Sequence, residues 1–115
     1  MGLFEKTIDW RANLSEQEVR EVIAAAEEMV HRDRFAMGFQ PDAVKKAIQD
    51  RKTALTLLKT KKKLTMSEVE LVYNCLRQEI AVRQSMGQGR AELSTLNDFV
   101  YALYTRRAEI RTGGR

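Results

Sequence analysis

The stretches LSEQEV at 14–19 and LTMSEV at 64–69 share one pattern: an apolar residue, Ser or Thr, two spacers, Glu, Val. That pattern is a helix start. With Ser15 as N-cap, its hydroxyl can accept from the backbone N–H of Glu18, while the Glu18 carboxylate reaches back to the N–H of Ser15. Leu14 and Val19 then close a hydrophobic staple around the first turn. Thr65, Glu68, Leu64 and Val69 fill the same four roles at the second site. Two such starts predict two helical halves. An internal duplication is a second reading, because Ser15 and Thr65 are each followed at a similar distance by Met-Gly, at 37–38 and 86–87. The helices beyond those breaks share little else, so common cap chemistry is the plainer explanation.

Working outward from the caps, a first helix is predicted from Glu16 to Arg34 or Phe35, with Val19, Val22, Ile23, Ala26, Met29 and Val30 on one face and Gly38 as its stop. Pro41 suits the first turn of the next helix, since it has no N–H to leave unpaired; that helix runs to Lys61 with Val44, Ala47, Ile48, Leu55 and Leu58 as its stripe. A third helix spans Met66 to Met86. Val69, Val72, Tyr73, Leu76 and Ile80 make one face, and Leu71, Cys75, Val82 and Met86 widen the apolar arc enough to place it centrally. MGQG at 86–89 breaks it. The last helix starts at Glu92 or nearer Ser94 and runs to Arg111, with Leu93, Leu96, Phe99, Val100, Leu103, Tyr104 and Ile110 facing inward. Leu3, Phe4, Ile8 and Trp10 are too apolar for a free tail, so residues 1–13 are expected to pack across the bundle as a short helix or turn anchored by Trp10. The fold class is therefore all-α: a four-helix bundle of two αα-hairpins in a single domain over 1–115, with 112–115 fraying.

Composition agrees. Gly and Pro number six and one in 115 residues, and no clean period-2 alternation is long enough to propose a sheet. The single Cys75 cannot form a disulfide within the chain. No stretch approaches the length of a membrane span, and the first ten residues lack the apolar core of a secretory signal. The expected location is the cytoplasm.

The net charge of +4 conceals an asymmetry. Residues 1–33 carry eight acids against four bases, residues 34–63 nine bases against two acids, and residues 64–115 seven against six. At 100° per residue Lys45, Lys52, Lys59 and Lys63 fall within about 40° of one another on the second helix, with Lys61 and Lys62 crowding its end. Like charges so placed repel, so the ridge suits an anion such as the phosphates of a nucleic acid. Other fates compete: a solvated face whose lysine stems cover apolar edges, neutralisation by Glu16, Glu27 and Glu28 of the first helix within the molecule or across a homodimer, and an anionic membrane surface. The basic block has no interleaved aromatics and no helix-turn-helix glycine, so base stacking and groove reading lack support. Arg83 projects onto an apolar face and must be paired or lie past the core edge; with Arg106 and Arg107 it forms a second candidate interface set.

Catalytic constellations are sparse. His31 is the only histidine, so Glu28-x-x-His31 is half of a di-metal carboxylate pattern, and a Cys75–His31 pair depends on the fold. The glycine pairs lack phosphate-loop spacing. No catalytic residue, metal ligand, cofactor or small-molecule substrate is expected. The function expected is that of a small non-enzymatic interaction protein, an adaptor, regulator or inhibitor that binds another protein or its own copy as a homodimer. Nucleic-acid binding through the lysine ridge is the alternative.

Overall fold

Both capping boxes form. In the computed structural model, which describes residues 6–35 and 40–111 with side chains to residue 107, the order is β1 (Thr7–Asp9), α1 (Glu16–Asp33), α2 (Asp42–Thr60), β2 (Lys63–Thr65), α3 (Met66–Ser85) and α4 (Ser94–Arg111). At α1, Glu18 N donates to Ser15 Oγ at 3.1 Å and Ser15 N to Glu18 Oε1 at 2.9 Å. At α3, Glu68 N donates to Thr65 Oγ1 at 3.4 Å and Thr65 N to Glu68 Oε1 at 2.9 Å. The chain is an all-α four-helix bundle carrying one two-stranded ribbon.

Helix ends differ little from expectation. Pro41 stands just before α2 as its cap, in an extended conformation, and its carbonyl accepts from Val44 and Lys45 N–H at 3.0 Å each. α3 closes in a Schellman turn: Gln88 N donates to Arg83 O and Gly87 N to Gln84 O, both at 3.0 Å. Gly87 has φ +93°, the left-handed region that favours glycine. α4 begins at Ser94, the later of the two predicted starts. Gly38, Leu3, Phe4, the Ile110 side chain and the tail at 112–115 lie outside the described residues.

The helices pack in ring order, α1 on α2, α2 on α3, α3 on α4 and α4 on α1. Between them lies one buried cluster that includes Val22, Ala26, Met29, Leu58, Val72, Leu76, Leu96, Phe99 and Leu103. α3 packs on two neighbouring helices and buries Val69, Val72, Cys75, Leu76, Glu79 and Ile80, while Val82 and Met86 of its predicted apolar arc are exposed. α2 is shallower, with Ala54 and Leu58 as its buried residues and Val44 exposed. Tyr104, expected to face inward, is half exposed at 50%.

Over residues 7–13 the N-terminal segment is a strand followed by a turn, where a short helix or turn was expected. β1 pairs antiparallel with β2 in the register Thr7↔Thr65, Ile8↔Leu64, Asp9↔Lys63, so Ile8 and Leu64 enter the core together. Trp10 anchors it as expected, buried to 3% with its ring edge-on to Phe99 at 5.6 Å. Its Nε1–H donates to Lys61 O at 2.7 Å and its backbone N–H to Lys62 O at 3.0 Å.

Glu68 serves the α3 cap and also accepts from Lys61 Nζ at 2.9 Å on both oxygens. Burial pushes its carboxyl up, but the Lys61 hydrogen bond and the Thr65 N–H outweigh that, holding it below the ordinary carboxylate value. The stabilisation is therefore present above the unfolded carboxylate value, about 4.3, and is lost as pH falls through the lower folded value. Glu68→Gln should cost about 1 kcal/mol at pH 7, by analogy with cap loss, and the gap to wild type should shrink below about pH 4 in urea melts. A gap independent of pH would show that the charge on Glu68 is irrelevant.

Candidate functional site

The lysines point outward. Lys45, Lys52, Lys59, Lys61, Lys62 and Lys63 are all exposed. They do not form one open ridge. Lys59 reaches Glu27 of α1 at 3.4 Å, both side chains being half exposed, and Lys61 is committed to Glu68. Lys45 also has a partner. Lys52, Lys62 and Lys63 carry no side-chain ion pair or hydrogen bond among the described residues. Of the acids considered as neutralisers, Glu27 meets the ridge, Glu16 lies 3.8 Å from Arg20, and Glu28 turns to Arg83. Pairs this exposed contribute about 0–1 kcal/mol each, so they thin the positive field without cancelling it.

The arginines are tied within the fold. Arg83 donates through Nε to Glu79 Oε2 and through Nη2 to Glu28 Oε1, each at 2.7 Å. Arg106 donates to Asp9 O at 3.0 Å, fixing the end of β1 to α4. Arg107 lies 5.2 Å from the centres of both the Tyr73 and Tyr104 rings and 3.5 Å from Glu70. A guanidinium over two ring faces gains cation–π attraction as well as its ion pair.

Glu79 is the polar residue that the periodicity missed. Its side chain is 0% exposed. Besides Arg83 it accepts from Arg32 of α1, and Arg32 also approaches Glu28 at 4.0 Å. Beside this cluster Arg51 holds Asp33 with two hydrogen bonds, 2.7 and 2.9 Å, which push the guanidinium still higher against the effect of burial. Met29, Arg32, Asp33, Arg51, Cys75, Glu79 and Val82 line a cavity of about 180 Å³. Its carboxylates are satisfied by arginines. Burial, with the Asp50 carboxylate, pushes the Cys75 thiol up to about 11, so it stays protonated at neutral pH and is a poor nucleophile. His31 is on the exposed side of α1, ring against Phe35 at 5.3 Å, and lines a groove with Lys59 and Leu55; the fold does not pair it with Cys75. Among the described residues no group of three or more His, Cys, Asp and Glu is placed to hold a metal ion.

An open, largely apolar groove of about 370 Å³ lies elsewhere, on α3 and α4. Tyr73, Arg77 and Ile80 form one wall and Asn97, Val100, Tyr101 and Tyr104 the other. Tyr73 and Tyr104 meet in it, 5.9 Å between ring centres, and Arg107 lies over both rings. Tyr101 stands 73% exposed in the middle. Arg77 on the α3 wall and Asp98, one turn before Tyr101 on α4, are exposed, and neither has an ion pair or hydrogen bond among the described residues. Sequence reasoning passed over Tyr101 because it falls off the buried stripe. An aromatic residue off the stripe, followed three residues later by another, was the available signal.

Compared with known proteins, the chain matches no protein-family model, no curated protein and no solved structure. Among the described residues no helix is long and apolar enough to cross a membrane.

Proposed function

We propose that this chain is a small non-enzymatic helical interaction protein, an adaptor, regulator or inhibitor that binds another protein through the α3–α4 face around Tyr101 and Tyr104. The supporting observation is the groove itself. Two tyrosines are held in water beside Ile80 and Val100, with an unpaired arginine at hand. Tyrosine and arginine are the residues on which protein interfaces concentrate their binding energy, because each offers a large apolar surface with a polar tip. The buried thiol of Cys75 suits a reducing compartment such as the cytoplasm.

Nucleic-acid binding is the second reading, favoured by the exposure of Lys52, Lys62 and Lys63 without ion pairs among the described residues. One experiment separates the two. A photo-crosslinking residue placed at Asn97 or at Lys52 is activated in cells that express the full chain. Protein adducts should form from Asn97 and be lost when Tyr101 and Tyr104 become Ser. Nucleic-acid adducts from Lys52, removed by high salt, together with none from Asn97, would overturn the reading.

A further inference from the structure

We infer that the α3–α4 groove is the contact face of a homodimer, in which Arg77 of each copy meets Asp98 of the other; this rests on the reading of that face as a binding surface and names its partner. Three observations lead there.

The first is charge. Arg77, on the α3 wall of the groove, is a cation without an ion pair, and Asp98, exposed on α4 one turn before Tyr101 and outside the groove's lining, is an anion without one among the described residues. A face that carries one charge of each sign, one on each helix, is complementary to itself, whereas a face of a single sign would repel its own copy.

The second is level. The contact of Tyr73 with Tyr104, and of Arg107 with Glu70, shows that α3 and α4 run antiparallel, 73 beside 104. Four residues along α3, Arg77 stands beside Val100 and Tyr101, and Asp98 is one turn further on α4. A two-fold axis lying between the copies and parallel to these helices keeps every residue at its own height and seats α3 of one copy on α4 of the other. Arg77 then lies over Tyr101 of the second copy and one turn, about 5 Å, from its Asp98, within the reach of an arginine side chain. The two Tyr101 rings fill the two grooves.

The third is area. α3 and α4 have 20 and 18 residues, so each runs about 27–30 Å, and two helices side by side are about 20 Å wide. The face offers about 600 Å² per copy and about 1,200 Å² in the pair, at the lower edge of stable interfaces. A reversible dimer in the micromolar range is the result to expect.

The test is the mass of the full chain in solution by sedimentation equilibrium, from about 1 to 500 μM, a range chosen to bracket that affinity. The mass should rise from 13.2 kDa toward twice that value. Tyr101→Glu, a change at an exposed site, should remain a monomer throughout with an unchanged circular dichroism melt. Arg77→Asp and Asp98→Arg should each weaken the dimer about tenfold or more, and the double variant Arg77→Asp/Asp98→Arg should recover most of that loss, because the pair is restored with its signs exchanged. A monomer at every concentration would overturn the homodimer. So would a dimer that survives Tyr101→Glu, or a double variant no better than the singles. If the chain is monomeric yet still yields Tyr101-dependent adducts to a different protein from Asn97, the homodimer fails and the interaction reading stands. If neither a dimer nor such adducts appear, both fail.

Discussion

Glu79→Ala should lower the free energy of unfolding by about 3–5 kcal/mol, the largest loss expected from any single polar substitution in this chain. Glu79 is fully enclosed and receives Arg83 from its own helix and Arg32 from α1. Removing the carboxylate leaves Arg83 with Glu28 as its one remaining partner, at 2.7 Å, and Arg32 with the same Glu28 at 4.0 Å, while the donors that Glu79 satisfied face a low-dielectric space. The Arg83 side chain, 13% exposed, has little water to turn to, while Arg32 at 33% has more. The loss therefore comes from the stranded partners more than from the missing attraction. That origin gives the control. Glu79→Met combined with Arg83→Met removes carboxylate and stranded cation together and fills the space with flexible apolar side chains. The double variant should be less destabilised than Glu79→Ala, although it contains more changes. Glu79→Gln, which keeps an acceptor and the shape, should fall between. Urea unfolding at neutral pH measures all three. A cost below about 1 kcal/mol for Glu79→Ala would mean that both arginines find water easily and that the cluster is ordinary surface chemistry.

The same cluster marks where sequence reasoning stops. Helix starts are legible because a capping box is local: Ser15 and Glu18, or Thr65 and Glu68, satisfy one another within four residues, whatever the rest of the chain does. The core is legible for a related reason, since Val22, Ala26 and Met29, or Leu96, Phe99 and Leu103, repeat at the helical period. Glu79 obeys that period too, lying between Leu76 and Ile80 on the buried face of α3, but a carboxylate there is intelligible only once Arg32, 47 residues earlier in the chain, is known to reach it. Arg83 could be flagged as odd on its own helix; its partner could not be named. The angle of the lysine ridge applies to Lys45, Lys52 and Lys59, which lie on α2, and fails for Lys63, because the helix ends at Thr60 and Lys63 opens β2. The neutralisation of the ridge at Lys59 depends on how α1 leans on α2, which no helical wheel contains. The tyrosine groove is the reverse case. Tyr104 fits the apolar stripe and was expected inside, yet the packing of α3 leaves it at the rim, with Tyr101 beyond it. Pairwise helix geometry decides surface chemistry here, while the intrahelical pattern decides the core.

Trp10→Ala should cost about 3–5 kcal/mol, comparable to Glu79→Ala but by a different route. The ribbon of β1 and β2 escaped notice in the sequence because each strand has three residues, too few to show alternation, and its pairing spans Thr7 to Thr65. What holds so short a ribbon is the indole. It packs edge-on against Phe99 of α4, lies 4.9 Å under the Arg11 guanidinium, and ties the α2–α3 link through Lys61 O and Lys62 O. Arg11 in turn donates to Leu58 O at 3.2 Å. Truncation to Ala therefore opens a large void and also frees β1, so the damage should extend along the ribbon. Hydrogen exchange distinguishes this from a simple cavity. Amide protection at 7–10 and at 63–65 should collapse in Trp10→Ala, while the middle of α3 around Leu76 keeps protection limited by the lowered global stability. Trp10→Phe, which fills much of the void but lacks the Nε1–H, should lose about 1 kcal/mol for the Lys61 bond and keep the ribbon protected. If Trp10→Ala instead lowers protection uniformly through all four helices and the ribbon alike, with no added loss at 7–10, the strap contributes only apolar volume. Thr65 would then cap α3 equally well without β1 beside it.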